Sequence, residues 1–388
     1  MFSLFHDNYA HPSTKLKALM TEVIMPESKR LFTDYEMRDG LRYCPERFSQ
    51  GIKSRVAFIG GSVTTQSWRV LTGQFLCETF PNIESQFINA GIGGTDANLG
   101  AFRLPNDVFG QGQVDLLFLE FAVNGGGIRS MEGIIRQCKR LNPEIDICML
   151  YLADTSKVDD FNNGRIPEIV KTHQKIADYY HVPSLFLYRE IALRIADGDF
   201  SWEKFSRDSV HPTEFGNEIY AQCVADFLKE ALKTKKAFMD AVELPPPMDP
   251  FCYERGNLIA LEKASDVDGW QRIREWTTDK TCNFQPPADV FSAEQPGATL
   301  KLSFTGTAIG IYTLVGMDTG TIEYSIDGSE FKTIDPFDYY CPIFHRPQHT
   351  IFADELPIGD HSIVLRTGAQ KNEKSLGYSM RILKFMVN

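Results

Sequence analysis

Asp208 and His211, in the run Asp208-Ser209-Val210-His211-Pro212, are a carboxylate and an imidazole three residues apart. At that spacing the two side chains can meet within one turn of chain. Asp208 can then accept from the ring Nδ1–H and leave Nε2 to take a proton from a hydroxyl, the arrangement that activates a serine. Pro212 biases His211 toward an extended backbone and suits the first turn of a following helix. The chain has seven other histidines, and none sits in such a setting. A helix-capping aspartate beside an incidental histidine would leave the same pattern.

A hydroxyl for this pair is offered by Gly60-Gly61-Ser62, directly after the apolar run Val56-Ala57-Phe58-Ile59. Two glycines let the backbone turn sharply and leave room for a substrate. A helix starting just after Ser62 would bring its positive end to a developing oxyanion. Phosphate loops and plain turns share this strand-Gly-Gly-Ser pattern.

Two more turns could supply hydrogen bonds to the same point. Asn89-Ala90-Gly91-Ile92-Gly93-Gly94-Thr95 opens like a dinucleotide fingerprint at Gly91-x-Gly93. The third glycine of that fingerprint falls on Asp96, and the turn follows the second strand rather than the first. What remains is a turn whose backbone N–H groups face a site, or a plain glycine-rich turn. Phe121-Ala122-Val123-Asn124-Gly125-Gly126-Gly127 places Asn124 where its amide can aim at the same point, although asparagine before glycine is also common turn chemistry. Gly61, Trp68 and Arg103 are candidate substrate contacts. Trp68 reads equally well as packing, and Arg103 as a surface salt bridge.

These turns need a scaffold that brings strand ends together. From Arg55 onward, short apolar runs alternate with helical periodicity, the signature of a parallel α/β sheet. The runs are 56–59, 87–88, 114–121, 145–152 and 184–187. Between them, 130–141 and 213–233 repeat apolar residues at helical spacing. Five strands with intervening helices predict a flavodoxin-like open sheet, whose ligand site lies beyond the carboxyl ends of its strands. Residues 1–52 form a charged lead-in with no assignable fold, and 53–243 the α/β domain. Leu244-Pro245-Pro246-Pro247-Met248-Asp249-Pro250 reads as an extended connector. Residues 251–388 follow as an all-β domain, sandwich- or jelly-roll-like, with period-two strands such as 300–304 and 322–326 and a hairpin signal at Asp327-Gly328.

Composition narrows the function. The 388 residues carry a net charge of -11, unsuited to a general nucleic-acid surface or an anionic membrane. There is no run of 18 apolar residues, and the apolar start Met1 to Phe5 ends at His6, too early for a secretory signal. A cytoplasmic protein is expected. Eight scattered cysteines include no Cys-x-x-Cys pair, and no cluster suggests a metal or an organic cofactor.

Taken in order, Ser, Gly, Asn and Asp-x-x-His each close a strand or open a helix on one edge of the sheet. In this the chain resembles the SGNH, or GDSL-like, hydrolases, a family named for its Ser, Gly, Asn and His. The resemblance spans roughly residues 55–234. Its blocks correspond to Ile59-Gly60-Gly61-Ser62-Val63-Thr64, Asn89 to Gly94, Asn124, and Asp208 to Pro212. The resemblance implies a three-layer αβα domain with Ser62 as nucleophile, His211 as base and Asp208 orienting it. It also implies an oxyanion hole from the Ser62 and Gly94 N–H groups and the Asn124 amide. Two positions depart from the usual pattern: Gly61 where an Asp often precedes the serine, and Gly125 where an Asp usually follows the asparagine. The run Gly60-Gly61-Ser62, Trp68-Arg69 and Phe121 to Asn124 is most similar to carbohydrate esterases, some of which carry an attached β-sandwich. The implied partner is a small-molecule or oligosaccharide ester, probed first with acetyl esters. Three other readings stay open. Gly125 allows a non-catalytic carbohydrate-binding protein, the same triad serves an acyltransferase, and the β domain allows an adaptor. The loop residues Asp338-Tyr339-Tyr340 and His345-Arg346 could stack on sugars or fill a domain interface.

Overall fold

The computed structural model of the chain describes residues 30–81, 85–233 and 243–388. The first 29 residues of the lead-in, and 234–242 ahead of the prolines, lie outside the described residues. Two compact units form among the described residues: one holds those of 30–100 and 107–252, the other Tyr253–Asn388 with Ala101–Asn106.

The first unit is built on a six-stranded sheet. Its strands are β1 (Tyr35–Glu36), β2 (Arg55–Gly60), β3 (Gln86–Gly91), β4 (Leu116–Glu120), β5 (Asp146–Leu150) and β6 (Ser184–Leu185), in the order β1-β6-β5-β4-β2-β3. Strands β2 to β6 pair in parallel. Taken alone they follow the flavodoxin order, second-first-third-fourth-fifth, and the direction of winding reverses between β2 and β4. Every residue of β4 and β5 is buried, as near-continuous apolar strands require when both sheet faces are covered.

Helices follow the strands: α1 (Cys44–Ser49), α2 (Trp68–Thr79), α3 (Ala97–Asp107), α4 (Ile128–Leu141), α5 (Thr155–Asn162), α6 (Glu168–Tyr179), α7 (Leu187–Ala196), α8 (Trp202–Phe205) and α9 (Glu214–Ala231). The predicted stripes are the buried faces. On α4 these are Met131, Ile134, Ile135 and Cys138, and on α9 Ile219, Cys223 and Phe227. Thr213 caps α9, its hydroxyl accepting from Gly216 N–H at 3.2 Å.

Two segments outside the predicted elements make defined contacts with this unit. Part of the unassigned lead-in is built into this unit. β1 lies antiparallel on β6, with Tyr35 opposite Leu185, and Asp146 at the start of β5 accepts from the N–H groups of Arg42, Tyr43 and Cys44 at 2.8–2.9 Å. A two-residue strand is too short to show a period. The proline-rich segment is pinned: Glu132 on α4 accepts from Met248 and Asp249 N–H at 2.6 and 2.8 Å.

The second unit is all-β. One sheet has the order β15-β12-β17-β10-β9, with β7 on β17, and the other β14-β13-β16-β11-β8. The strands are β7 (Asn257–Ile259), β8 (Ser265–Asp268), β9 (Gln271–Trp276), β10 (Ala288–Ala293), β11 (Thr299–Gly306), β12 (Ile309–Val315), β13 (Ile322–Ile326), β14 (Lys332–Ile334), β15 (Arg346–Ala353), β16 (Gly359–Thr367) and β17 (Met380–Val387). Leu300, Ile322 and Leu365 of one sheet share a core with Ile311, Ile382 and Phe385 of the other. That is sandwich packing. Asp327 and Gly328 both take positive φ, 52° and 75°, and turn β13 into β14 as the hairpin signal predicts.

Candidate active site

Ser62 stands at the carboxyl end of β2, beside the point where winding reverses. One 3-10 turn, Val63–Thr65, follows it, and α2 opens only at Trp68, so the helix expected directly after Ser62 is a single short turn. The turn is held by its own bonds. The Ser62 carbonyl accepts from Thr65 N–H at 3.2 Å and Thr65 Oγ1 at 2.7 Å, and the Trp68 indole donates to the Val63 carbonyl at 2.7 Å.

His211 and Asp208 come to Ser62 from the loop before α9. Nε2 of His211 lies 2.8 Å from Ser62 Oγ, and its Nδ1 lies 2.8 Å from Asp208 Oδ2. The other carboxylate oxygen, Oδ1, accepts from the N–H groups of Val210 and His211 at 2.8 and 2.7 Å. Burial pulls the Asp208 carboxyl upward. The hydrogen bonds from the His211 N–H, the His211 ring and Val210 N–H outweigh it and hold the group at about 2. The loop is anchored from three sides: the Trp202 indole donates to Asp208 O at 2.8 Å, Thr155 N–H to Ser209 O at 3.0 Å, and Ser206 Oγ to His211 O at 2.8 Å.

Asn124 reaches the same place from the end of β4. Its side chain lies directly over Gly61, where a Cβ would fall 1.8 Å from Oδ1 and 2.6 Å from Cγ. Gly61 is therefore buried beneath this amide and serves as clearance for it, rather than as open floor for a substrate. Among the described residues, the Asn124 Oδ1 has no hydrogen-bond partner. The backbone around it is well tied. Gly125 N–H donates to Phe121 O at 2.7 Å, Ala97 N–H to Gly125 O at 3.0 Å, and His173 Nε2 lies 2.9 Å from Gly126 O. Gly125 and Gly126 take φ of 101° and 129°, which L side chains resist. Gly94 turns at φ 70° after β3, and Ile92 N–H donates to Gly60 O at 3.1 Å, tying that turn to β2.

No family model and no curated protein matches the sequence. Solved structures do match it. One is a two-domain esterase active on acetylated mannans, co-crystallised with mannopentaose: it is 18% identical, covers 92% of this chain and 98% of its own, and has a TM-score of 0.72. A second structure of a two-domain esterase active on acetylated mannans is 19% identical, covers 88% and 93%, and has a TM-score of 0.73. The chain has the fold of a two-domain esterase. The resemblance read over residues 55–234 and this likeness over both units point to one architecture.

Not every candidate lies at this site. Trp68 is wholly buried, edge-on to Phe58 at 5.5 Å, and supports the serine turn from beneath. Arg103 is likewise fully buried on α3. Neither side chain has surface to offer a ligand, and Arg103 is inside rather than at the surface where a salt bridge was expected. A long apolar stem lets arginine sit inside where a sequence reading puts it outside.

Two residues without a place in the sequence reading lie just behind the site. Glu120, the last residue of β4, is buried, and its Oε1 accepts from Val123 N–H at 3.2 Å and Oε2 from Thr64 Oγ1 at 3.3 Å. Burial pushes its carboxyl from 4.5 to about 7, against the pull of those donors and of Lys157. Burial likewise holds His173 down at about 4, as a neutral ring. In the sequence Glu120 is an acid set within the otherwise apolar stretch Leu116 to Val123, which marks the position but not its partners. Among the described residues, no group of three or more His, Cys, Asp or Glu side chains is placed to hold a metal, and no helix is long and apolar enough to cross a membrane. A cavity of about 270 Å³ opens at the other edge of the sheet, among Arg42, Tyr43, Lys139 and Asp146, and holds none of the site residues.

Proposed function

We propose that the chain is a serine esterase that removes short acyl groups, acetyl above all, from a carbohydrate. The observation that carries this reading is the unbroken chain of hydrogen bonds from Ser62 Oγ through His211 to Asp208, 2.8 Å at each step. His211 takes the Ser62 proton as Oγ attacks the ester carbonyl. Asp208, ionised at any working pH, holds the ring in the tautomer with Nδ1–H and stabilises the imidazolium. The N–H groups of Ser62 and Gly94 and the Asn124 amide receive the negative charge on the carbonyl oxygen. Collapse expels the sugar alcohol, which leaves with the proton from His211. Water then gives its proton to His211 as it attacks the acyl-enzyme, and Ser62 Oγ takes that proton from His211 as it leaves and the acid is released.

Acetylated mannans are the substrates of the two similar structures, which makes an acetylated oligosaccharide the first natural substrate to try. Gly125, standing where an Asp usually follows the asparagine, keeps a non-catalytic binding protein as the second reading. The bonds that tie the backbone of this loop to Phe121, Ala97 and His173 support the catalytic one. The test is hydrolysis of p-nitrophenyl acetate, butyrate and octanoate by wild type and Ser62→Ala, with and without an acceptor alcohol. Acetate cleavage that vanishes in the variant is expected. Full activity in Ser62→Ala would sink the mechanism, and ester appearing on the acceptor in preference to free acid would make the protein an acyltransferase.

A further inference from the structure

We propose that Glu120 is a positioning residue that locks the turn carrying Ser62 to the turn carrying Asn124. The proposal rests on the esterase reading of this site. A buried carboxylate needs a reason, since taking an acid out of water costs several kcal/mol unless it is hydrogen-bonded. The neighbouring Leu116, Leu117, Phe118 and Leu119 show that this strand tolerates, and uses, apolar residues throughout.

The two oxygens of Glu120 divide their work. Oε2 takes the hydroxyl of Thr64, two residues after Ser62, and Oε1 takes the N–H of Val123, one residue before Asn124. One rigid planar group thus joins nucleophile and oxyanion donor through two short paths. The glycine at position 60 is part of the same device. A Cβ there would fall 2.1 Å from Thr64 Oγ1 and 2.3 Å from the Glu120 carbonyl oxygen, so only a bare backbone lets Thr64 reach inward. Charged groups also lie near this carboxylate. Lys157, paired with Asp154, pulls on Glu120, and the α5 turn that holds this pair donates Thr155 N–H to Ser209, between Asp208 and His211. The phenol of Tyr220, which takes the Ala153 N–H, feels the same carboxylate.

The experiment compares Glu120→Ala, Glu120→Gln, Thr64→Val and Ser62→Ala on p-nitrophenyl acetate, with kcat and KM resolved and folding checked by thermal melts. A displaced oxyanion donor affects only the transition state, so Glu120→Ala is expected to lower kcat about 10- to 100-fold with KM within about twofold. Glutamine can accept from Val123 N–H and donate to Thr64 Oγ1, and is expected to restore kcat to within about threefold of wild type, because the neutral amide keeps both ties. Thr64→Val, which removes one tie, is expected to lower kcat about 3- to 10-fold and carries the test if Glu120→Ala does not fold. A folded Glu120→Ala or Thr64→Val with wild-type kcat overturns the proposal, and so does a glutamine variant no better than alanine. These outcomes leave the esterase reading standing as long as wild type cleaves and Ser62→Ala does not. Absence of cleavage by wild type would take down both.

Discussion

Replacing Gly61 by alanine should separate catalysis from stability in one step. The added Cβ would lie 1.8 Å from Asn124 Oδ1, and ordinary contact begins at 3.4 Å. The amide must therefore retreat by about 1.6 Å, and a shift of about 1 Å in a catalytic group is enough to cost ~100-fold. Complete loss of one oxyanion donor costs about 10²–10³ in kcat, or ~2.7–4 kcal/mol of transition-state stabilisation. The backbone at 61 is not in the left-handed region, and what must move is the end of one side chain. Pushing a side chain off its rotamer costs about 0.5–1.5 kcal/mol, a fall in Tm of a few degrees. The expected result with p-nitrophenyl acetate is thus kcat down at least ~100-fold, KM little changed, and a nearly intact melt. The double variant with Asn124→Ala sharpens the test. Once the amide is gone the clash is gone, so Gly61→Ala should add almost nothing to the loss already caused by Asn124→Ala. A kcat within about threefold of wild type in Gly61→Ala, or fully additive losses in the double variant, would refute the idea that Gly61 acts as clearance for Asn124.

Two other expectations concern the same loops. Restoring the acid usual after the asparagine, by Gly125→Asp, should harm the protein: there is open space for the side chain, but φ of 101° is strained for any residue with a Cβ. A loss of about 1–3 kcal/mol in denaturant melts and lower kcat are expected, and a variant as stable and as active as wild type would contradict this. Stability should also titrate through Glu120. Its folded-state value is raised from 4.5 to about 7, so the folded protein holds this proton more tightly than the unfolded chain. The contribution is complete below pH 4.5 and is lost as pH rises through 7. Relative to Glu120→Gln, which cannot titrate, wild type should lose on the order of 3 kcal/mol between pH 4.5 and pH 8, and a difference that stays flat across that range would be the contrary result.

The site was legible where chemistry coincides with punctuation. Ser62 and Asn124 each follow an apolar run long enough to be seen as a strand, Asn89 falls inside β3 just before its turn, and Asp208 and His211 precede a helix with a clear stripe. Parallel strands end on one edge by necessity, so order along the chain translates into proximity. The Asp327-Gly328 hairpin was legible for a similar reason, since its flanking residues alternate with period two. What escaped depends on contacts that no local pattern encodes. Glu120 looks like the end of a strand until Thr64 and Val123 are seen to converge on it. The reason for Gly61 lies in a side chain 63 positions away, in Asn124. Trp68 takes the packing role that its position allows beside the substrate-contact one, and Arg103, which reads as a substrate contact or a surface salt bridge, is turned inward by its helix. The turn after Ser62 was expected to be helical, but its carbonyls bond three residues on.

The strand β1 also guards the sheet. An uncovered edge strand is a template for pairing with another molecule. Here Tyr35 and Glu36 cap β6, and Arg38 fastens the segment through Val182 O and Ser184 Oγ, each at 2.8 Å. Trimming the chain to begin at Lys53 would strip that cap, and would take from Asp146 the three N–H donors that reconcile its buried carboxylate with the interior. A shortened protein of this kind would keep every residue of the Ser62 site and still be prone to self-association, so the smallest well-behaved unit of this chain starts well ahead of its first sequence motif.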